Sequence, residues 1–418
     1  MTDEQRQAIA DALGLDSGFL IIAAVIFCTF FIGFGGGIIF PIIPNLGTLL
    51  GISPVVVGII LSANRFSRLL LSAPAGAMVD RMGTRSPFIA GMAIQTVATG
   101  GYIIALYAPA PEIWFLIARL GWGVGSALVF ATAYTIASDV SDDTTRGASM
   151  GLIRGGILFG APTGLVLGGI ISEFAGIATA FMVATALAAI ATALAHLLIP
   201  ETHVQGPPNT SIKPWDVDTS LAALVAGATN FVLLFVYFGV VFSTMVLVLD
   251  ARDLGIFGMD AQGSSGVFMG LTVVTAGVFT FIGGYLSDRF DSRMPTLLIF
   301  LGLTALGFLF FAQAYSLDSL VAACLLLGIG QGGTSGPLMA LLGDLTAEER
   351  MGRAVGTTNV LGDVGGTLGP IISLPLVHVI GFGALYLLSA LLPLVAALIL
   401  LVGIHRRTGR FFPAIGDD

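Results

Sequence analysis

Residues 76–85 read GAMVDRMGTR and residues 284–293 read GYLSDRFDSR. In register, Gly76, Asp80, Arg81 and Arg85 of the first stretch recur as Gly284, Asp288, Arg289 and Arg293 of the second. Each stretch is a short charged loop between two long apolar runs, so the chain repeats itself. Other pairs fall at about the same spacing. LGWGVG from Leu120 answers LGIGQG from Leu327, and GILFG from Gly156 answers GTLG before Pro370.

Around the two loops the chain carries little charge. It has 17 Lys+Arg and 25 Asp+Glu in 418 residues, 10% charged, with 56% hydrophobic residues and 56 glycines; a soluble domain carries about 25% charged residues. That deficit excludes an ordinary soluble enzyme. A membrane span needs about 20 apolar residues, and such runs lie at 18–44, 54–79, 87–108, 113–137, 148–171, 175–199, 220–249, 264–287, 295–315, 319–342, 354–377 and 380–404. These are numbered here as spans one to twelve. The expected fold class is an all-α membrane protein of twelve transmembrane helices in two pseudo-symmetric six-helix bundles. Its parts are an arm over 1–17, a first bundle over 18–200, a linker over 201–219, a second bundle over 220–404 and a tail over 405–418. Two halves with a site where they meet is a transporter architecture.

The basic residues orient the chain. Arg6, Arg81, Arg85, Arg146, Lys213, Arg289, Arg293, Arg350, Arg353, Arg406, Arg407 and Arg410 fall on the side of the termini, while the opposite loops hold Arg252. The positive-inside rule then places both termini in the cytoplasm of a multi-pass cell-membrane protein. Residues 1–17 lack the apolar core and cleavage site of a signal peptide, so span one is expected to be retained.

Other counts exclude chemistry. The single lysine, Lys213, precedes Pro214, so no phosphate-cradling Lys-Ser/Thr motif exists and active transport must draw on a gradient or on a separate ATPase subunit. Cys28 and Cys324 fall in apolar runs, and His196, His203, His378 and His405 show no metal-ligand spacing. No nucleophile stands beside a base. The expectation is a non-enzyme with no metal, no cofactor and no nucleic-acid partner.

The charges inside the spans are the sharpest signal. Arg65, Arg68, Arg119 and Arg154 each lie within a run, against one acid well inside a span, Asp363. An arginine at the centre of an inserted helix costs about 2.5–3.5 kcal/mol on the lenient scale, so each needs compensation. At about 1.5 Å per residue, Arg68 lies ~18 Å above Asp80 and Asp363 ~15 Å above Arg353, nearly the same depth.

The loop from Gly76 to Arg85, with Gly83 in its fourth fixed place, resembles the general signature G-x-x-x-D-R-x-G-x-R of the major facilitator superfamily, and the resemblance extends over essentially the whole chain. The second copy has Asp291 where that signature has glycine. Arg119 followed by Gly121, Gly123 and Gly125 is similar to the fourth-helix arginine motif linked in the family to proton coupling. FGGGIIFPIIP over 34–44 and G-x-x-x-G-A-P from Gly156 to Pro162 are similar to first- and fifth-helix patterns of the twelve-span drug:proton antiporters, the latter with Ala161 inserted before the proline.

The resemblance implies that Asp80 clamps the N-terminus of span eleven in one conformational state, with Asp288 acting likewise on span five, and that Arg81 and Arg85 reach acids such as Asp139. It places spans two and eleven side by side, so Asp363 is expected to pair with Arg68 or Arg65 and to carry the proton. A permanent bridge that only neutralises buried charge is the alternative. Arg119 and Arg154 complete the expected coupling set. The cavity-lining spans implied by the fold offer Asn64, Tyr134, Asn230, Tyr237, Gln331 and Asn359 as substrate contacts or, equally, as interhelical ones. The glycines of spans one and five, with Pro41, Pro44 and Pro162, imply close packing and bends. The expected function is a monomeric transporter that exports a small lipophilic or weakly polar compound against protons by alternating access. Rival readings are an importer or facilitator of the same fold, and a non-transporting receptor or lipid-handling protein.

Overall fold

The computed structural model describes residues 17–140, 146–202 and 218–414. The arm over 1–16 and the linker interior at 203–217 lie outside the described residues, as do the side chains of Asp80 and Arg154. Every regular element among the described residues is helical. Span one is Ser17–Gly37, followed by a turn and the short helix Ile43–Leu49; spans two to six are Pro54–Met82, Arg85–Tyr107, Pro111–Val140, Arg146–Ala175 and Ile177–Leu198. Span seven runs through Leu221–Leu234, Phe235–Phe242 and Ser243–Ala251, and spans eight to ten are Ala261–Arg289, Met294–Ala312 and Leu317–Asp344. One long helix, Glu348–Thr408, supplies spans eleven and twelve, because Gly381 breaks it with φ 79° and ψ 165°. A helix was the only open spanning form available, since lipid offers no partner for a backbone N–H or C=O.

Packing divides the chain into two compact units. One comprises residues to Ile42 and Ala63–Pro214; the other comprises Ile43–Ser62 and Trp215 onward. The boundary crosses span two, and it does not coincide with the sequence repeat. The far end of span two packs in the second unit, where the Ser62 hydroxyl donates to the Thr367 carbonyl at 2.6 Å and Asn45 donates to Gln262 at 2.6 Å.

Within the first unit, spans one and five run against each other backbone to backbone. A Cβ on Gly160 would stand 2.0 Å from the Phe30 carbonyl oxygen, so that crossing admits only glycine. Buried aromatics Tyr102, Phe115 and Phe181 fill the join of spans three, four and six, with centroids 5.2–6.4 Å apart. In the second unit the equivalent close approach is between spans seven and eleven, at Gly239 and Gly369.

The crossing at Gly239 coincides with an irregularity. Residues Phe235–Phe242 form a π-helical stretch, a widened turn inside an otherwise α-helical span. Ser243 and Ser373 both donate to the Gly239 carbonyl oxygen, and their hydroxyls lie 3.1 Å from one another. The Gly239 carbonyl oxygen thus takes hydroxyl donors from two helices, which satisfies both hydroxyls inside the bundle.

Candidate functional site

Span four lifts Arg119 into the middle of the first unit, where the side chain is 0% exposed. Its Nη2 donates to the Asn64 side-chain oxygen at 2.6 Å, and its guanidinium lies 5.9 Å from the centre of the Trp122 ring. Spans two and four can bring these groups together because Gly123 leaves room for the backbone at Asn64; a Cβ there would stand 2.3 Å from the Asn64 carbonyl oxygen. Ser67 ties the same two spans, donating to the Leu120 carbonyl at 3.0 Å. The structure therefore gives Asn64, singled out above as a substrate or interhelical candidate, an interhelical contact with a buried cation.

The remaining charges inside the spans divide between the units. Arg65 and Arg68 are half-buried in the first, Arg68 with its guanidinium 5.6 Å from the centre of the Phe130 ring. Asp363 is half-buried in the second, and its backbone oxygen accepts the Thr367 hydroxyl at 2.7 Å. Of the other polar candidates, Asn230 donates from span seven to the Thr358 carbonyl of span eleven at 3.0 Å. Tyr134 packs half-buried against the apolar core of the first unit, and Asn359 is exposed on span eleven. Tyr237 sits in the π-helical stretch against Phe238 and Phe242, with centroids 5.7 and 4.8 Å away. The Tyr237 hydroxyl and the Gln331 side-chain oxygen are buried with no hydrogen-bond partner among the described residues. Such groups are costly in an apolar interior and are the natural places for a polar ligand atom or a water.

The charged loops are wired differently in the two units. In the first, the helix of span two ends at Met82 and the chain turns through Gly83 at φ 82°. The Glu201 carboxylate then accepts from the Thr84 N–H at 2.7 Å, the Thr84 hydroxyl at 3.0 Å and the Arg85 N–H at 3.3 Å, capping the start of span three. Arg85 reaches the end of span six, donating to the Ile199 and His196 carbonyls at 2.9 and 3.0 Å. Asp139 accepts from the Thr202 hydroxyl at 3.1 Å, and Arg81 is exposed. In the second unit Arg293 bridges two carboxylates, Asp288 in its own loop and Asp344 at the end of span ten, the latter at 2.9 Å. Arg293 thus forms an ion pair from its loop to a span end. Arg289 lies over the Tyr285 ring at 4.5 Å. A Cβ on Gly76 or Gly284 would meet nothing within 4 Å among the described residues.

Sequence reasoning did not single out Glu201, Ser62 or Asp344. Glu201 stands where the first bundle ends, and an acid just past a span, facing a left-handed glycine, was the available signal. Asp218 was also passed over: its carboxyl accepts from the Ser220 N–H at 2.7 Å, and that bond, together with Arg350 and Arg353, holds it below the usual carboxylate range.

Ten helices long and apolar enough to cross a membrane among the described residues, one of them broken at Gly381, together with a guanidinium sealed inside one unit and a recurring charged loop, define a polytopic membrane transporter, which is not an enzyme. The profile described as Major Facilitator Superfamily matches residues 25–370 and, again, 257–416, and the chain belongs to that superfamily. Among its relatives, a multi-drug resistance efflux pump PmrA homolog of Lactococcus lactis is 23% identical over 85% of this chain and 87% of its own length. The multi-drug resistance efflux pump PmrA of Streptococcus pneumoniae is 25% identical over 87% of this chain and 91% of its own. Among solved structures, a bacterial homolog of the human lysosomal transporter Spinster, inward-facing and occupied, superposes with a TM-score of 0.79 at 14% identity, over 94% of this chain and 97% of that one. The substrate of a transporter of this superfamily is a small molecule, and its place is a membrane.

Proposed function

We propose that the protein exports a small lipophilic or weakly polar compound from the cytoplasm in exchange for protons, as a monomer in the cell membrane with both termini inside. Arg119 is the observation that carries this reading. A cation held fully inside a span by an asparagine is expensive to insert, and it stands in the fourth-helix motif that the superfamily links to proton coupling. The resemblance to two multi-drug efflux pumps over more than four-fifths of the chain supports export. Few charges remain to recognise a substrate once the arginines are assigned to coupling, which favours a compound held by apolar and aromatic walls.

In this reading Asp363 carries the proton. It is the one acid the sequence places well inside a span, and it is half-buried in the second unit. Arg65 and Arg68 are the cations at its depth, Arg119 and Arg154 tune the field, and the Asp80 and Asp288 loops gate the two faces. The test is flux in liposomes under an imposed pH gradient, with a panel of neutral, cationic and anionic compounds. Efflux driven by inward proton movement, lost in Asp363→Asn while counterflow exchange persists, is the expected result. Full proton coupling in Asp363→Asn removes the carrier assignment, and uptake in the opposite sense removes export.

A further inference from the structure

We propose that the second unit holds a binding site for the phosphate group of an anionic phospholipid, at the end of span twelve on the side of the termini. A polar cavity of about 670 Å3 opens there between the end of span ten, the start of span eleven and the end of span twelve. Arg350, Arg407 and Arg410 line it, with Asp344, Ala347 and Thr408. Asp344 is already engaged by Arg293 at 2.9 Å, and three guanidiniums stand in the wall beside that one carboxylate. Arg407 is held across it by a 2.9 Å bond to the Leu345 carbonyl.

Two further observations point to an anion. Span eleven starts in the cavity wall with Ala347 at its N-cap, a residue that supplies no side-chain cap, and a helix start favours an anion. The Thr346 hydroxyl, also in the wall, is buried with no hydrogen-bond partner among the described residues. Guanidiniums bind phosphate oxygens in pairs of parallel hydrogen bonds, and an added hydroxyl and helix terminus complete a phosphate cradle.

The surroundings decide the source. Phe411 and Phe412, next along the chain, are 49% and 53% exposed, and His405 stacks on Phe411 at 4.2 Å. Exposed aromatic side chains just past a span end offer an apolar surface to lipid. Basic pockets on the arginine-rich face of a helical bundle suit anionic headgroups. The cavity, at about 670 Å3, is also far larger than one phosphate ion.

The full-length protein, reconstituted in nanodiscs of phosphatidylcholine with or without phosphatidylglycerol, tests this by native mass spectrometry of retained lipid and by thermal unfolding. Wild type should retain phosphatidylglycerol preferentially and unfold at a higher temperature when it is present. Arg407→Gln and Arg350→Gln should each weaken that retention about fivefold, while Arg252→Gln, on the opposite face, should not. In a separate arm, inorganic phosphate and glycerol phosphate are titrated into phosphatidylcholine discs. Stabilisation by those soluble anions equal to that of the lipid would overturn the lipid assignment. Equal retention by wild type and both variants, or no preference in wild type, would overturn the site; the wild-type comparison stands even if a variant fails to fold.

Discussion

The loop at 76–85 and the loop at 284–293 share four residues in register and hold their units together by different physics. The first turns on a left-handed glycine and is fixed by one remote carboxylate, Glu201, that caps a helix start, while its arginine goes to carbonyl oxygens. The second turns without a left-handed residue, since Asp291 keeps an ordinary backbone, and is fixed by an arginine between two carboxylates. A shared sequence signature therefore guarantees a charged turn, not a shared set of bonds. Which partner is available depends on what the neighbouring span ends present: an acid at Asp344 in one unit, the carbonyl oxygens of His196 and Ile199 in the other.

This contrast can be broken by substitution, with unfolding in detergent as the measurement. The largest effect is expected from Arg293→Ala, a loss of roughly 2 kcal/mol that comes mostly from Asp344, the more sheltered of its two carboxylates. High salt should shrink that loss. Glu201→Gln comes next, at about 1–2 kcal/mol, because a charged cap becomes a neutral one with fewer acceptors, and its effect should be less sensitive to salt. Equal salt sensitivity of the two variants would erase the distinction.

Gly83→Ala should cost about 1 kcal/mol, from the left-handed backbone and from the Glu201 carboxylate that a methyl group would displace. Asp291→Gly, at the corresponding place in the other loop, should shift the unfolding temperature less. The smallest effect concerns pH. Asp218 has a depressed carboxyl pKa when folded, so its contribution is complete above the ordinary carboxylate value of 3.8 and is lost as the pH falls further. The stability difference between wild type and Asp218→Asn should be constant near neutrality and vanish in acid; a difference that grows in acid would contradict the assigned bonds.

Much of the fold was legible because lipid leaves few choices. Apolar runs of the right length had to be helices, and turn chemistry marked their ends to within a few residues. Span one stops at Gly37, well before the run of apolar residues does, since three glycines, Pro41 and Pro44 do not sustain a helix. The π-helical stretch in span seven was not legible, because a widened turn changes no residue's hydropathy. The need of Arg119 for compensation could be read from its position, whereas its partner could not: Asn64 is one of several polar residues at similar depth, and only the packing at Gly123 selects it. The destination of Arg85 was hidden for a related reason. Carbonyl acceptors belong to every residue and leave no mark in a sequence.

The widened turn at Phe235–Phe242 has an evolutionary corollary. A helix that carries surplus backbone at one level behaves like a spiral into which a residue has been inserted without rotating what lies beyond it. Deleting one amino acid there would regularise the coil and leave Ser243 and Thr244 facing Ser373 and Tyr386, their present neighbours. The bulge thus records how span seven could lengthen while both of its ends kept facing the same partners.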